Sequence, residues 1–106
     1  MATNAQHTEP LSDLTAFQRD ILTIIARVGA PYGLRIKREL EAEYGTDVNH
    51  GRLYPNLDDL VQMGLVEKSE RDKRTNNYGL TERGNAVLEA DTRWRREAIQ
   101  GEEDNG

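Results

Sequence analysis

The chain has 106 residues, enough for one small domain, with 36% apolar residues and a formal net charge of −5. No apolar run approaches the roughly 18 residues of a membrane span, Met1–Pro10 is too polar for a leader segment, and there is no cysteine. A spanning helix, disulfides and thiolate metal sites are thereby excluded, a cytoplasmic location is expected, and net acidity argues against a generic basic nucleic-acid binder.

The low apolar share suggests that a partner chain completes the burial. Three of the fourteen cations are Lys (Lys37, Lys68, Lys73) and the rest Arg, while Glu97, Glu102, Glu103 and Asp104 follow Arg96 with no base among them. A small, acidic, Lys-poor chain suits a salt-rich cytoplasm, because carboxylates hold hydration.

Residues 1–11 lack periodicity and read as a loose tail. Thr15-x-x-Gln18 is a capping-box pattern, and Leu14, Phe17, Ile21, Ile24, Ile25 and Val28 then mark one helical face, with Leu22 on its flank. The helix should end near Val28-Gly29. A second helix is expected from about Leu34 to Tyr44, with Ile36, Leu40 and Tyr44 inward and Gly45 as its stop. Its bases come early and its acids late, against the helix dipole. Either its first turn faces an anion or this is a plain solvated face.

The third helix is expected over residues 49–63. Leu53, Leu57, Leu60 and Val61 share one face, and Asn49 stands where an N-cap side chain can accept an orphan N–H. Gly51, Arg52, Pro55, Asp59 and Gln62 should project opposite. Pro55 removes the N–H that would reach the Gly51 carbonyl, and glycine lets the backbone tilt there, which predicts a kink. The bare amino end with Arg52 is either an anion site or an ordinary capped helix start.

Leu65–Lys68 and Asn77–Leu80 read as two short strands joined by a charged loop over Glu70–Asn76. Thr81 can cap a last helix, on which Val87, Ala90, Trp94 and Ala98 recur at helical spacing and Leu88 lies on the flank. That helix should fray near Gly101, with 101–106 a disordered acidic tail. The boundaries are therefore 1–11 tail, 12–80 winged domain, 81–100 terminal helix and 101–106 tail. The class is mainly α with a small β-hairpin, a winged helix-turn-helix in the order α-α-α-β-β-α.

Two stretches carry a family likeness. Gly51-Arg52-Leu53-Tyr54-Pro55-Asn56-Leu57 on the third helix, and Leu80-Thr81-Glu82-Arg83-Gly84 after the hairpin, closely resemble the PadR-like transcriptional regulators, especially the short haloarchaeal members. The resemblance spans roughly residues 14 to 95. It implies a homodimeric DNA-binding regulator, most simply a repressor. The third helix would enter a major groove, the wing tip would touch the minor groove or backbone, and the first and last helices would pair. The family's longer members carry an extended helical arm where this chain has one short helix.

On that reading Arg52 is the principal base reader, since its planar fork matches guanine O6 and N7. Asn49, His50 and the bare Gly51 backbone lie at the same helix start. Tyr54 either offers its hydroxyl to a phosphate or flanks the core. Arg71, Lys73 and Arg74 at the hairpin tip suit phosphate or minor-groove contact. The dimer interface is expected to use Phe17, Leu22, Ile25, Val87, Ala90, Trp94 and Ala98. Operator binding should depend weakly on salt, through cations held between carboxylates such as Asp59 and the DNA.

An enzyme is not expected. The only histidines are His7 and His50, and the chain has no phosphate loop, metal-ligand cluster or nucleophile–base pair; Asp58 and Asp59 diverge by about 100° on a helix. No cofactor, metal or membrane partner is expected, and no effector site can be assigned. A winged-helix module for RNA or protein assembly is the alternative.

Overall fold

The computed structural model describes residues 13–101; the expected tail at 1–11, with His7, and all but Gly101 of the tail expected at 101–106 lie outside the described residues. Helix α1 (Ala16–Val28) is the hub. Its capping box forms as the spacing predicts, with Thr15 Oγ1 accepting the Gln18 N–H and Gln18 Oε1 accepting the Thr15 N–H, both at 3.1 Å. Phe17, Ile21, Leu22, Ile24 and Ile25 are all buried, so both flanks of the helix face the protein's own core.

Helix α2 (Gly33–Tyr44) buries Ile36 and Leu40 and stops at Gly45, whose left-handed φ of 72° glycine tolerates. Tyr44 is not inward as its spacing suggested. It is 38% exposed at the helix end, where its hydroxyl donates to Asp20 Oδ2. Burial and the Asp20 carboxylate together push this phenol up to about 12. The early bases of α2 reach acids one turn on, Arg35 to Glu39 at 2.8 Å and Lys37 to Glu41 at 2.7 Å. That order of charge is therefore a self-paired face.

Helix α3 (His50–Gln62) runs without a break through Pro55 and buries Leu53, Leu57 and Leu60 completely. Asn49 caps it as expected, its side-chain oxygen accepting the Gly51 N–H. Strands β1 (Val66–Asp72) and β2 (Thr75–Leu80) pair antiparallel, with Val66 opposite Leu80 and Lys68 opposite Tyr78. They extend well into the stretch expected to be a loop, because cross-strand bonds tolerate polar residues in a solvated ribbon. The hairpin turns at Lys73-Arg74, beside an irregularity between Glu70 and Asp72.

Helix α4 (Glu82–Gln100) is capped by Thr81, whose hydroxyl accepts the Gly84 N–H and donates to the Gly64 carbonyl at 2.7 Å. A Cβ at residue 84 would collide with the Leu65 carbonyl, so only glycine lets the helix sit this close. The Leu-Thr-x-x-Gly run is thus a bolt between α4 and the α3–β1 corner. Val87 joins the same core, so the first half of α4 packs on the helices and hairpin before it.

Candidate nucleic-acid interface

The amino end of α3, the amino end of α2 and the hairpin turn meet at one recess. It encloses about 260 Å3 and is lined by Tyr32, Gly33 and Leu34 of the α2 start, Tyr54 of α3, and Arg74–Asn76 and Tyr78 of the hairpin. A Cβ at residue 33 would fall 2.5 Å from the Tyr54 hydroxyl oxygen, so glycine is what lets the Tyr54 ring lie across the first turn of α2. Tyr32 caps α2 without a side-chain bond; its carbonyl takes the Arg35 N–H at 3.0 Å, and the positive end of the helix dipole, with the Gly33 and Leu34 N–H groups, lies on this side. A second tie holds the hairpin to α3, where Lys68 Nζ lies 3.9 Å from Asp58.

His50 is exposed and stacks on Tyr54, with ring centroids 5.8 Å apart and planes 6° from parallel. Gly51, Pro55, Asp58, Asp59 and Gln62 are exposed on the face away from the leucines. Arg52 is exposed too, but it does not extend outward from that face. Its guanidinium lies 3.8 Å from the centroid of the Phe17 ring on α1. Asn49 is partly committed, since its oxygen already holds the Gly51 N–H.

Lys73 and Arg74 form the hairpin turn. Asp72 Oδ1 takes the Arg74 backbone N–H at 3.0 Å, and that bond holds the Asp72 carboxyl below its usual range. Arg71 lies within β1 rather than at the tip, its guanidinium 4.9 Å from the Tyr32 ring. Longer strands move it back along the ribbon. Tyr32 was not singled out from the sequence, and its place after Pro31 in an apparent turn gave no signal of a binding face.

The residues expected at a dimer interface divide sharply. Phe17, Leu22, Ile25 and Val87 are each no more than 6% exposed within the single chain, so, against the expectation, they have little surface left to offer a partner. Helices α2, α3 and α4 and strand β2 all pack against α1 and take up the apolar surface that its sequence left spare, while Ala16 and Thr23 stay exposed. Ala90 is half-buried and Ala98 exposed, while Trp94 is 60% exposed. The residue missed is Ile99, 85% exposed. It lines a groove of about 730 Å3 between α1 and α4, with Ala16, Arg19, Thr23, Leu88 and Asp91. Leu88 and Ile99 are eleven residues apart, about three helical turns, and that spacing was the available signal. Asp91 braces this groove, bonded to Arg95 Nε at 3.0 Å and 3.9 Å from Arg19 Nε.

Among the described residues no cluster of His, Cys, Asp or Glu is arranged to hold a metal, and no helix is long and apolar enough to cross a membrane.

Comparison with known proteins bears on the family and the fold. The model of the transcriptional regulator PadR-like family matches residues 21–90. Halobacterium salinarum RosR superposes with a TM-score of 0.78 at 62% identity, covering 81% of this chain and 77% of that one. A mutant E. coli MarR complexed with operator DNA gives a TM-score of 0.66 at 33% identity, over 76% of this chain and 56% of that one. The transcriptional activator GvpE2 of H. salinarum is 35% identical over 54 residues, 51% of this chain, and the chain spans only 28% of its length. The winged-helix fold is therefore a DNA-binding fold, and the matched proteins are regulators rather than enzymes.

Proposed function

The chain belongs to the PadR-like family of transcriptional regulators, and from that premise we propose that it works as a homodimeric, sequence-specific DNA-binding repressor. The observation that carries this is the shared recess, where Tyr54, the open end of α2 and Arg74 of the hairpin turn converge. A phosphodiester backbone crossing there meets a phenol, a helix amino end and a cation together. Helix α3 then lies in the major groove, led by Asn49, His50, Gly51, Arg52 and Tyr54. Arg71, Lys73 and Arg74 follow the backbone towards the neighbouring minor groove.

The second copy sits in the α1–α4 groove and covers Leu88 and Ile99, with Ala90, Trp94 and Ala98 at the margin. A two-fold pair presents α3 twice, so the operator is an inverted repeat with half-sites about one helical turn apart. Repression follows from occupancy of that site alone.

Asp58 and Asp59 stand on the outward face of α3, where they oppose phosphate. Cations from a salt-rich solution bridge them to the DNA, so affinity falls less steeply with salt than counterion release from a basic protein requires. The test is a mobility shift with genomic duplex fragments, with RNA as competitor, repeated over rising KCl. A shift with duplex and a shallow salt slope are expected. A slope as steep as that of a basic repressor removes the cation bridge, and preference for RNA replaces the operator reading with an RNA-binding module.

A further inference from the structure

The side chain best suited by chemistry to read guanine is the one the structure ties down. Arg52 is held at both ends. Its guanidinium lies 3.8 Å from the Phe17 ring centroid, and Phe17 is itself buried. Tyr44 also lies against Phe17, with ring centroids 6.4 Å apart. The Arg52 carbonyl accepts from Asn56 Nδ2 at 2.8 Å. Asn56 Oδ1 in turn accepts from Gln18 Nε2 at 3.0 Å, and Gln18 is a buried polar residue whose oxygen holds the first N–H of the α1 capping box.

The chain of contacts runs from the capped first turn of α1 to the leading turn of α3. Both bridges start on adjacent residues of α1, Phe17 and Gln18, and both end on one turn of α3, Arg52 and Asn56. A guanidinium over a ring is attracted by the ring quadrupole, and a partly buried amide pair is specified in direction. Together they fix the rotation of α3 about its own axis. The leucine stripe of α3 sets which face is inward, but apolar packing alone tolerates a small roll.

We propose that Arg52 is a positioning residue for operator binding: stacked on Phe17, with its turn latched through Asn56 to Gln18, it sets the roll of α3 in the groove and does not itself read a base. This rests on the operator-binding reading above. Its consequence is that base preference lies in other residues of α3 and the hairpin, while Arg52 scales affinity for every site alike.

The experiment is selection of bound sequences from a randomised duplex library, followed by affinity measurement, for the wild type, R52A, R52K, F17L and the F17L/R52A double variant. The R52A protein should enrich the same sequence as the wild type and bind it, and every single-base variant of it, more weakly by one common factor of roughly three to ten. R52K should recover part of the loss on every sequence alike, since an ammonium also sits over a ring but lacks the planar fork that stacks best. Adding R52A to F17L should change little, because the stack is already gone. In the free protein, the Arg52 Nε proton should resonate upfield under the Phe17 ring current and stay there when the selected duplex is added.

The proposal is overturned if R52A loses preference for one guanine per half-site while F17L keeps it, or if duplex abolishes the ring-current shift. Should F17L fail to fold, the R52A and R52K pair decides the point alone. If the wild-type protein enriches no duplex at all, operator binding has failed, and the ring-current shift still decides whether the stack exists.

Discussion

The hairpin turn and the far half of α4 are both exposed, for opposite physical reasons. Lys73 and Arg74 at the turn are charged, and water solvates them at no cost. Trp94 and Ile99 on α4 are 60% and 85% exposed, and water opposes both. Several cations elsewhere are engaged: Arg27 and Arg35 converge on Glu39 at 2.9 and 2.8 Å, and Lys37 holds Glu41. Among the described residues Lys73 and Arg74 have no such ion pair. A charge left unpaired beside an open helix end suits an anion, whereas an apolar side chain left out on a groove suits another apolar surface. The two ends therefore call for different partners, and each can be broken separately.

The largest effect is expected at α4. Ile99→Asp places a carboxylate in the proposed seam, losing the burial of an isoleucine and adding an unpaired charge. Dimer dissociation should strengthen on the order of a hundredfold, seen by sedimentation velocity as a shift towards the 12.0 kDa monomer. The thermal transition measured at monomer-only dilution should hardly move, since the side chain touches little of its own core. Trp94→Ala sharpens the comparison. If it dissociates the dimer and Ile99→Asp does not, the second copy lies on the other flank of α4.

At the hairpin the expected effect is smaller and of another kind. Lys73→Ala and Arg74→Ala should each weaken duplex binding by a similar factor on all sequences and flatten the salt slope by about one counterion. Neither should alter the dimer. A change of sequence preference, rather than of overall affinity, would mean that the turn reads bases instead of tracking the backbone.

Much of this was legible before any coordinates. The capping box at Thr15–Gln18, the left-handed stop at Gly45 and the leucine stripe of α3 are local patterns, fixed by neighbours three or four residues away. Strand length was not legible, because Glu70–Asp72 and Thr75–Asn76 have polar sequences that pair only once the hairpin brings them opposite one another. The fate of apolar flanks was not legible either. Leu22 reads identically whether a partner or the chain's own helices cover it, and only the arrangement around α1 decides. Arg52 illustrates the same limit for a polar group: its chemistry suggests guanine, but a ring thirty-five positions earlier takes its guanidinium.

The smallest effect expected is one of pH, at the joint between the two ends. Glu41 Oε2 accepts from Lys37 Nζ at 2.7 Å and from the Val48 N–H at 2.9 Å, just before the Asn49 cap of α3. First the Lys37 bond and then the Val48 N–H hold this carboxyl below its ordinary 4.5. Because the folded value is the lower one, the unfolded chain takes up the proton first. The stabilisation is complete above the ordinary value and fades as pH falls through the folded one. Glu41→Gln keeps an acceptor for Val48 but carries no charge. The variant should be slightly less stable than the wild type at neutral pH, and the difference should narrow as the pH falls below the ordinary carboxylate range, read from urea midpoints. The pair is only partly buried, so solvent screens it and the change in midpoint is small. Its value lies in its location: if acid also weakens duplex binding in the wild type but not in Glu41→Gln, then the Val48 tether, and not the hairpin cations, carries that sensitivity to the leading end of α3.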